Sequence, residues 1–167
     1  MSLRFLIVLC LFALLVQSCG YQIVREKGIY EGKIKSIYLS GFKNATFEPH
    51  ISMYVTDVFG AELLSLGLFE INKPSSEASL EGLIRRVTIG PQTVDKKGIA
   101  VEKNIELEIE LSLISKEGML IKKWILTERE TFRVDDPNSE DYNRREAIKR
   151  AAAKIARRFT SLIFMEY

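Results

Sequence analysis

The chain has 167 residues, 24 Lys and Arg against 22 Asp and Glu, and a single His. That length suits one domain, the near-neutral charge argues against bulk nucleic-acid binding, and one imidazole gives little material for acid–base chemistry. The two cysteines, Cys10 and Cys19, both lie near the N-terminus, so the remainder has no disulfide and must rely on a packed core.

The first stretch sets the destination of the chain. Arg4 precedes an unbroken apolar run from Phe5 to Val16, shorter than the ~20 residues that a spanning helix needs. With Ser18 as the small residue before the cut, the pattern predicts a secretory signal over residues 1–18 rather than a core helix or a membrane anchor. The residues Val16, Gln17, Ser18, Cys19 and Gly20 resemble a bacterial lipobox. That resemblance implies cleavage before Cys19 and a thioether link from Cys19 to diacylglycerol. Acyl chains hold a protein on a membrane through ~0.8 kcal/mol per buried methylene. Proteobacterial lipoproteins with Asp after the lipidated Cys stay at the inner membrane, so Gly20 implies export to the outer one. Losing Arg4 with the signal leaves 23 basic against 22 acidic side chains.

Residues 19–33 read as anchor and tether, and residues 34–167 as the domain. The first strand is expected at Ile34–Ser40, rich in β-branched and aromatic residues. Glu48-Pro49 predicts a helix start, since proline is preorganised for the first turn. Ile51, Val55, Phe59, Leu63 and Leu66 form a stripe at helical spacing, and Gly67 is a natural stop. Gly60 inside this helix costs ~1 kcal/mol relative to Ala, which predicts close packing there. Leu68–Asn72 is a short extended run. A second strand is expected over Ser79–Ile89, with turn chemistry over Gly90–Gly98.

The third strand is the clearest. Ile105, Leu107, Ile109, Leu111 and Leu113 alternate with Glu106, Glu108 and Glu110, the pattern of a strand with one face in the core and one in water. Glu117-Gly118 predicts a two-residue hairpin loop. It would pair Leu111 with Trp124, Ile109 with Leu126 and Glu106 with Arg129 in a fourth strand over Leu120–Phe132. The same register puts Glu128 and Glu130 on the core side. Either a bulge resets the phase or the strand runs beyond its covering helices. Asp136 to Ser139 make a turn and N-cap for a last helix over Glu140–Phe164. Its core stripe is Ile148, Ala152, Ile155, Phe159 and Leu162, with Arg150, Lys154, Arg157 and Arg158 on the wet side. The order is β-α-β-β-β-α. The fold class is therefore α+β: a two-layer sandwich of a four-stranded, mostly antiparallel sheet with two helices on one face.

Catalytic motifs are absent from the sequence: no Gly-x-Ser-x-Gly elbow, no phosphate loop and no cofactor fingerprint. His50 reads as a surface or capping residue, and the row Glu106, Glu108, Glu110 as a solvated face paired with Lys and Arg rather than a metal site. Among the basic pairs Arg85-Arg86, Lys96-Lys97 and Lys122-Lys123, the second lies at a loop tip, where a rigid sheet most often presents function. Ammonium groups there suit phosphates and carboxylates.

Several segments together resemble one family. These are Cys19-Gly20-Tyr21, Ile34–Tyr38, Phe42–Thr46, Glu48-Pro49 before an amphipathic helix, Ala78–Ile84 opening a strand, and Arg144–Ile148 in a final helix with Ala151-Ala152 and Ile155-Ala156. In order and spacing they resemble the lipopolysaccharide-assembly lipoproteins, of LptE or RlpB type. The resemblance implies a two-helix, four-stranded sandwich, and the lack of catalytic motifs makes the expected protein one without enzymatic activity or cofactor. The resemblance also implies two partners: an outer-membrane β-barrel translocon of LptD type, which the lipoprotein plugs and helps to fold, and lipopolysaccharide itself. Basic residues at the tip of the sheet are implicated in the latter contact, and here the corresponding loop carries Lys96 and Lys97. A lipid-anchored, periplasm-facing interaction module without a role in lipopolysaccharide transport, and a lipid-anchored hydrolase, are the competing readings.

Overall fold

The computed structural model describes residues 28–29, 33–67, 70–73, 75–134 and 136–165. The expected signal peptide, Cys19, most of the expected tether, Leu68 and Phe69 lie outside the described residues. The elements are β1 (Ser36–Leu39), β2 (Lys43–Asn44), α1 (Ile51–Leu66), β3 (Glu70–Ile71), β4 (Ala78–Val94), β5 (Ala100–Ser115), β6 (Leu120–Arg133) and α2 (Pro137–Met165). The sheet has six strands, not the four expected, in the order β3-β1-β4-β5-β6, with β2 also on β4. β1 pairs in parallel with β3 and β4, and β2 in parallel with β4. The long β4–β5 and β5–β6 ladders are antiparallel, as is the isolated bridge between Ile29 and Ile34. The parallel edge follows from α1, which returns the chain to the end where β1 began, so that β3 must run alongside it.

The helix expectations hold for α1 and extend for α2. Ile51, Val55, Phe59 and Leu63 are buried, and Gly67 caps α1 in the left-handed conformation at φ 61°. Asp136 starts α2, its Oδ1 accepting from the backbone N–H of Ser139 at 2.9 Å with Pro137 in the first turn. Ile148, Ala152, Ile155 and Phe159 are fully buried. The two helices run in the same direction: Arg144 meets Glu48 at 3.3 Å, Lys149 lies 5.5 Å from the Tyr54 ring, and Arg157 meets Glu62 at 2.6 Å. Their apolar faces share one core cluster with Ile105, Leu107, Ile109, Leu111 and Leu113 of β5.

The close approach expected at Gly60 occurs elsewhere. A Cβ on Gly60 would meet only the Leu39 side chain, at an ordinary 3.6 Å. A Cβ on Gly82 of β4 would lie 2.2 Å from two ring carbons of Phe42. Phe42 is buried across the strand and packs on Phe59 with ring centroids 4.7 Å apart. Gly82 thus gives the ring a seat that no other residue leaves open.

Both hairpins share one turn design. In the β5–β6 turn, Ser115 N–H donates to Met119 O at 2.8 Å and Gly118 N–H to Ser115 O at 2.9 Å, with Gly118 at φ 84°. The loop is therefore three residues, Lys116 to Gly118, not two. A register shift between Leu113 and Ile114 compensates. Because of that shift the expected pairs Leu111–Trp124, Ile109–Leu126 and Glu106–Arg129 are all present. A left-handed glycine closing such a loop is the usual device for a three-residue hairpin.

Candidate functional site

Two faces and one turn carry the polar chemistry of the sheet. The second expected strand does not stop at Ile89; β4 continues through Gly90 and Pro91 to Val94, with irregular pairing at Pro91 and Thr93. Proline is tolerated there because its missing N–H faces an open strand edge. The hairpin ends in the turn Asp95–Ile99. Asp95 N–H donates to Ile99 O at 2.8 Å and Gly98 N–H to Asp95 O at 3.0 Å. The Asp95 carboxylate accepts the N–H groups of Lys97 at 2.8 Å and Ile99 at 2.9 Å. With Gly98 at φ 78°, this is an Asx turn that fixes the backbone of Lys96 and Lys97 while leaving both side chains exposed. Val94 and Ile99, 54% and 61% exposed, flank them. The turn therefore presents two ammonium groups beside two bare apolar side chains.

Across the helix-free face, carboxylates and cations alternate in ion pairs. Arg129 meets Glu106 at 2.6 Å, Arg86 meets Glu108 at 2.7 Å, and Lys123 meets Glu110 at 2.7 Å. Arg85 reaches both Glu108 and Glu110 at 3.5 Å. The hydrogen bond from Lys123, with Arg85 nearby, holds the Glu110 carboxyl below the ordinary range. The glutamate row is thus a paired, solvated face, as its alternation with basic partners suggested. Two adjacent arginines reach the same face because β4 bulges between Ile84 and Arg86. The burial phase changes with the bulge: buried positions fall on even numbers through Ile84, whereas the later apolar residues Val87 and Ile89 are odd.

The Glu128 and Glu130 problem has a third solution. No bulge intervenes, and Leu107 and Ile105 pair directly with them. The helix supplies their partners instead. Arg158 reaches Glu128 at 3.4 Å, Arg150 reaches Glu130 at 3.2 Å, and Lys154 reaches the other oxygen of Glu130 at 2.5 Å. Burial pushes the Glu130 carboxyl up, but Lys154 and Arg150 outweigh it and hold it below the ordinary range. Arg150, Lys154 and Arg158 are exposed, as expected of the wet face, and from there they also clasp the edge strand. Arg157 ties α2 to α1 through Glu62. His50, exposed and left-handed at φ 57°, sits at the N-cap of α1 without a side-chain cap bond. No group of three or more metal-ligating side chains occurs among the described residues.

A family model described as lipopolysaccharide-assembly, LptE, matches residues 34–163. The chain belongs to the LptE family. No curated protein matches it in sequence. Three solved structures show where else this LptE-family fold occurs. One is a Xanthomonas campestris protein at TM-score 0.56 and 10% identity, covering 80% of this chain and 87% of that one. Another is a hypothetical protein from Chlamydia trachomatis at TM-score 0.54 and 8% identity, covering 78% and 98%. The third is a candidate lipoprotein from Caulobacter crescentus at TM-score 0.52 and 13% identity, covering 74% and 87%. At these identities the likeness is one of fold alone. Among the described residues of this LptE-family chain, no helix is long and apolar enough to cross a membrane.

The same LptE-family domain has a groove beside the Arg85 bulge. Phe47, fully exposed, Thr46 and Glu48 face Arg85, Arg86 and Ile89 across a cavity of about 400 Å³. Sequence reasoning missed Phe47, Val94 and Ile99. An isolated apolar residue in a loop looks the same whether it is buried or bare.

Proposed function

We infer that this protein is a non-enzymatic, acylated outer-membrane lipoprotein that sits on the periplasmic side, plugs an LptD-type barrel, assists its folding and contacts lipopolysaccharide through the β4–β5 turn. Cys19 carries the anchor once residues 1–18 are removed, and residues 34–167 form a two-layer plug domain. The observation that carries this reading is the long hairpin ending in Lys96 and Lys97 between bare Val94 and Ile99. That mixture suits a molecule with phosphate groups next to acyl chains. At ~3.3 Å per residue, the 17 residues of β4 reach about 55 Å. A bilayer with its headgroups measures about 40–45 Å. A plug standing along a barrel axis could thus have one end at each surface of the membrane. The ion-paired sheet face suits a polar lumen, since porin-like interiors are polar.

The test is Lys96→Asp combined with Lys97→Asp. Reversing both charges should weaken binding of purified lipopolysaccharide at physiological salt. Folding stability should stay within about 0.5 kcal/mol, because exposed turn charges contribute little to it. Unchanged binding would remove the turn from the contact.

A further inference from the structure

The end of the sheet opposite the Lys96–Lys97 turn carries its own mixture of apolar and basic side chains. β1 and β4 both begin here, and the β5–β6 turn closes over them. Lys116 N–H donates to Glu77 O at 2.9 Å, and Glu77 N–H donates to Ser36 O at 3.2 Å. Met119 and Leu120 project from this turn, 65% and 58% exposed. Lys33, Lys35, Lys116 and Lys122 belong to the same end, where Lys33 and Lys116 line a cavity of about 430 Å³ with Ile34, Glu117 and Ile121. The acidic groups at this end among the described residues are Glu70, Glu77 and Glu117, of which Glu70 pairs with Ser36 along the backbone and with Lys73 at 2.5 Å. The Glu77 carboxylate accepts the backbone N–H groups of Lys35 and Ser36, and Glu117 is hydrogen-bonded to Ser115. The exposed Lys35 and Lys116 therefore stand beside a bare apolar pair, at an end whose carboxylates are already engaged.

The path of the chain says what lies opposite. The chain enters the first strand of the domain at this end, through Lys33 and Ile34, fourteen residues after Cys19. We propose that, before a barrel encloses the domain, this end is a second membrane contact, in which Met119 and Leu120 enter the interface of the leaflet holding the acyl anchor and the lysines engage the phosphates of anionic phospholipids. Apolar burial together with attraction to anionic headgroups is the usual basis of interfacial binding. The contact fixes the orientation of the domain: the base lies on the anchored leaflet and the Lys96–Lys97 turn is directed away from it. The inference rests on the acylation of Cys19 proposed above.

The test uses the mature, acylated protein in vesicles of phosphatidylethanolamine and phosphatidylglycerol. With Cys10 removed and Cys19 alkylated, Met119→Cys supplies a single thiol for an environment-sensitive fluorophore. Emission should shift to the blue and be quenched by lipids with brominated acyl chains. The same label on Lys97→Cys should show neither effect. Lys35→Glu with Lys116→Glu, or vesicles of phosphatidylcholine alone, should diminish the shift at position 119. If the protein floats with vesicles but the label at 119 stays in water, or if both labels respond alike, the second contact is refuted while the anchor stands. If the protein fails to float at all, the anchor reading fails and this inference falls with it.

Discussion

Gly82→Ala should destabilise the domain, while Gly60→Ala should stabilise it, although both replace a glycine inside a regular element. At Gly82 the new methyl would sit 2.2 Å from Cδ1 and Cε1 of Phe42 and 2.7 Å from its Cγ. The ring cannot swing away freely, because Phe42 is 3% exposed and packs against Phe59. Its own N–H is also held by the Thr56 hydroxyl at 3.0 Å. Overpacking of this kind costs ~1–3 kcal/mol. At Gly60 the methyl meets only Leu39 Cδ2 at 3.6 Å, so the helix gains roughly 1 kcal/mol of propensity. A domain of this size shifts its Tm by roughly 3–4 °C per kcal/mol. Thermal and urea unfolding of the two variants should therefore move in opposite directions. Phe42→Leu in the Gly82→Ala background should recover part of the loss, giving a double-mutant coupling of opposite sign to the two single effects. A Gly82→Ala variant as stable as the parent would show that the Phe42 ring does not cross β4, and the seating of the Gly41–Phe47 loop would have to be redrawn.

The clasp around Glu130 predicts a pH dependence. Its folded pKa lies below the unfolded value, so its stabilisation is complete above the ordinary carboxylate range of about 4.3 and is lost as pH falls through the folded pKa. Glu130→Gln should lower stability at neutral pH by about 1–2 kcal/mol and flatten the acid limb of a urea-midpoint titration; an unchanged acid limb would contradict the clasp. Exchanging the partners of the helix–helix tie, as Arg157→Glu with Glu62→Arg, should restore most of what either single change removes. Because Arg157 is more than half exposed, the coupling should stay below about 1 kcal/mol.

Legibility varied with the range of the interaction. β5 was readable because from Ile105 to Leu113 every inward position is a branched aliphatic and every outward neighbour is polar, and its pairing with β6 followed from the hairpin. The hairpin loop itself was misread by one residue, and a compensating shift at Ile114 hid the error. β2 was not visible as a strand, since two residues do not span even one repeat of an alternating pattern, and β3 lies within the short extended run read over Leu68–Asn72 but was not counted as a strand. The parallel pairing of β1 depends on where α1 returns the chain, which no local pattern encodes. Glu128 and Glu130 looked like errors of register because their partners lie on α2, twenty or more residues later. At the candidate site the paired lysines of the turn were legible from turn chemistry. The apolar flanks Val94 and Ile99 were not, because β4 was expected to end at Ile89.

Recovery of the tagged, acylated protein from detergent-solubilised outer membranes tests the central claim most directly. The account predicts that a heat-modifiable β-barrel co-elutes in equal amount. A preparation that is pure, acylated and free of any barrel would contradict the plug reading, leaving a lipid-anchored member of the LptE family with another partner.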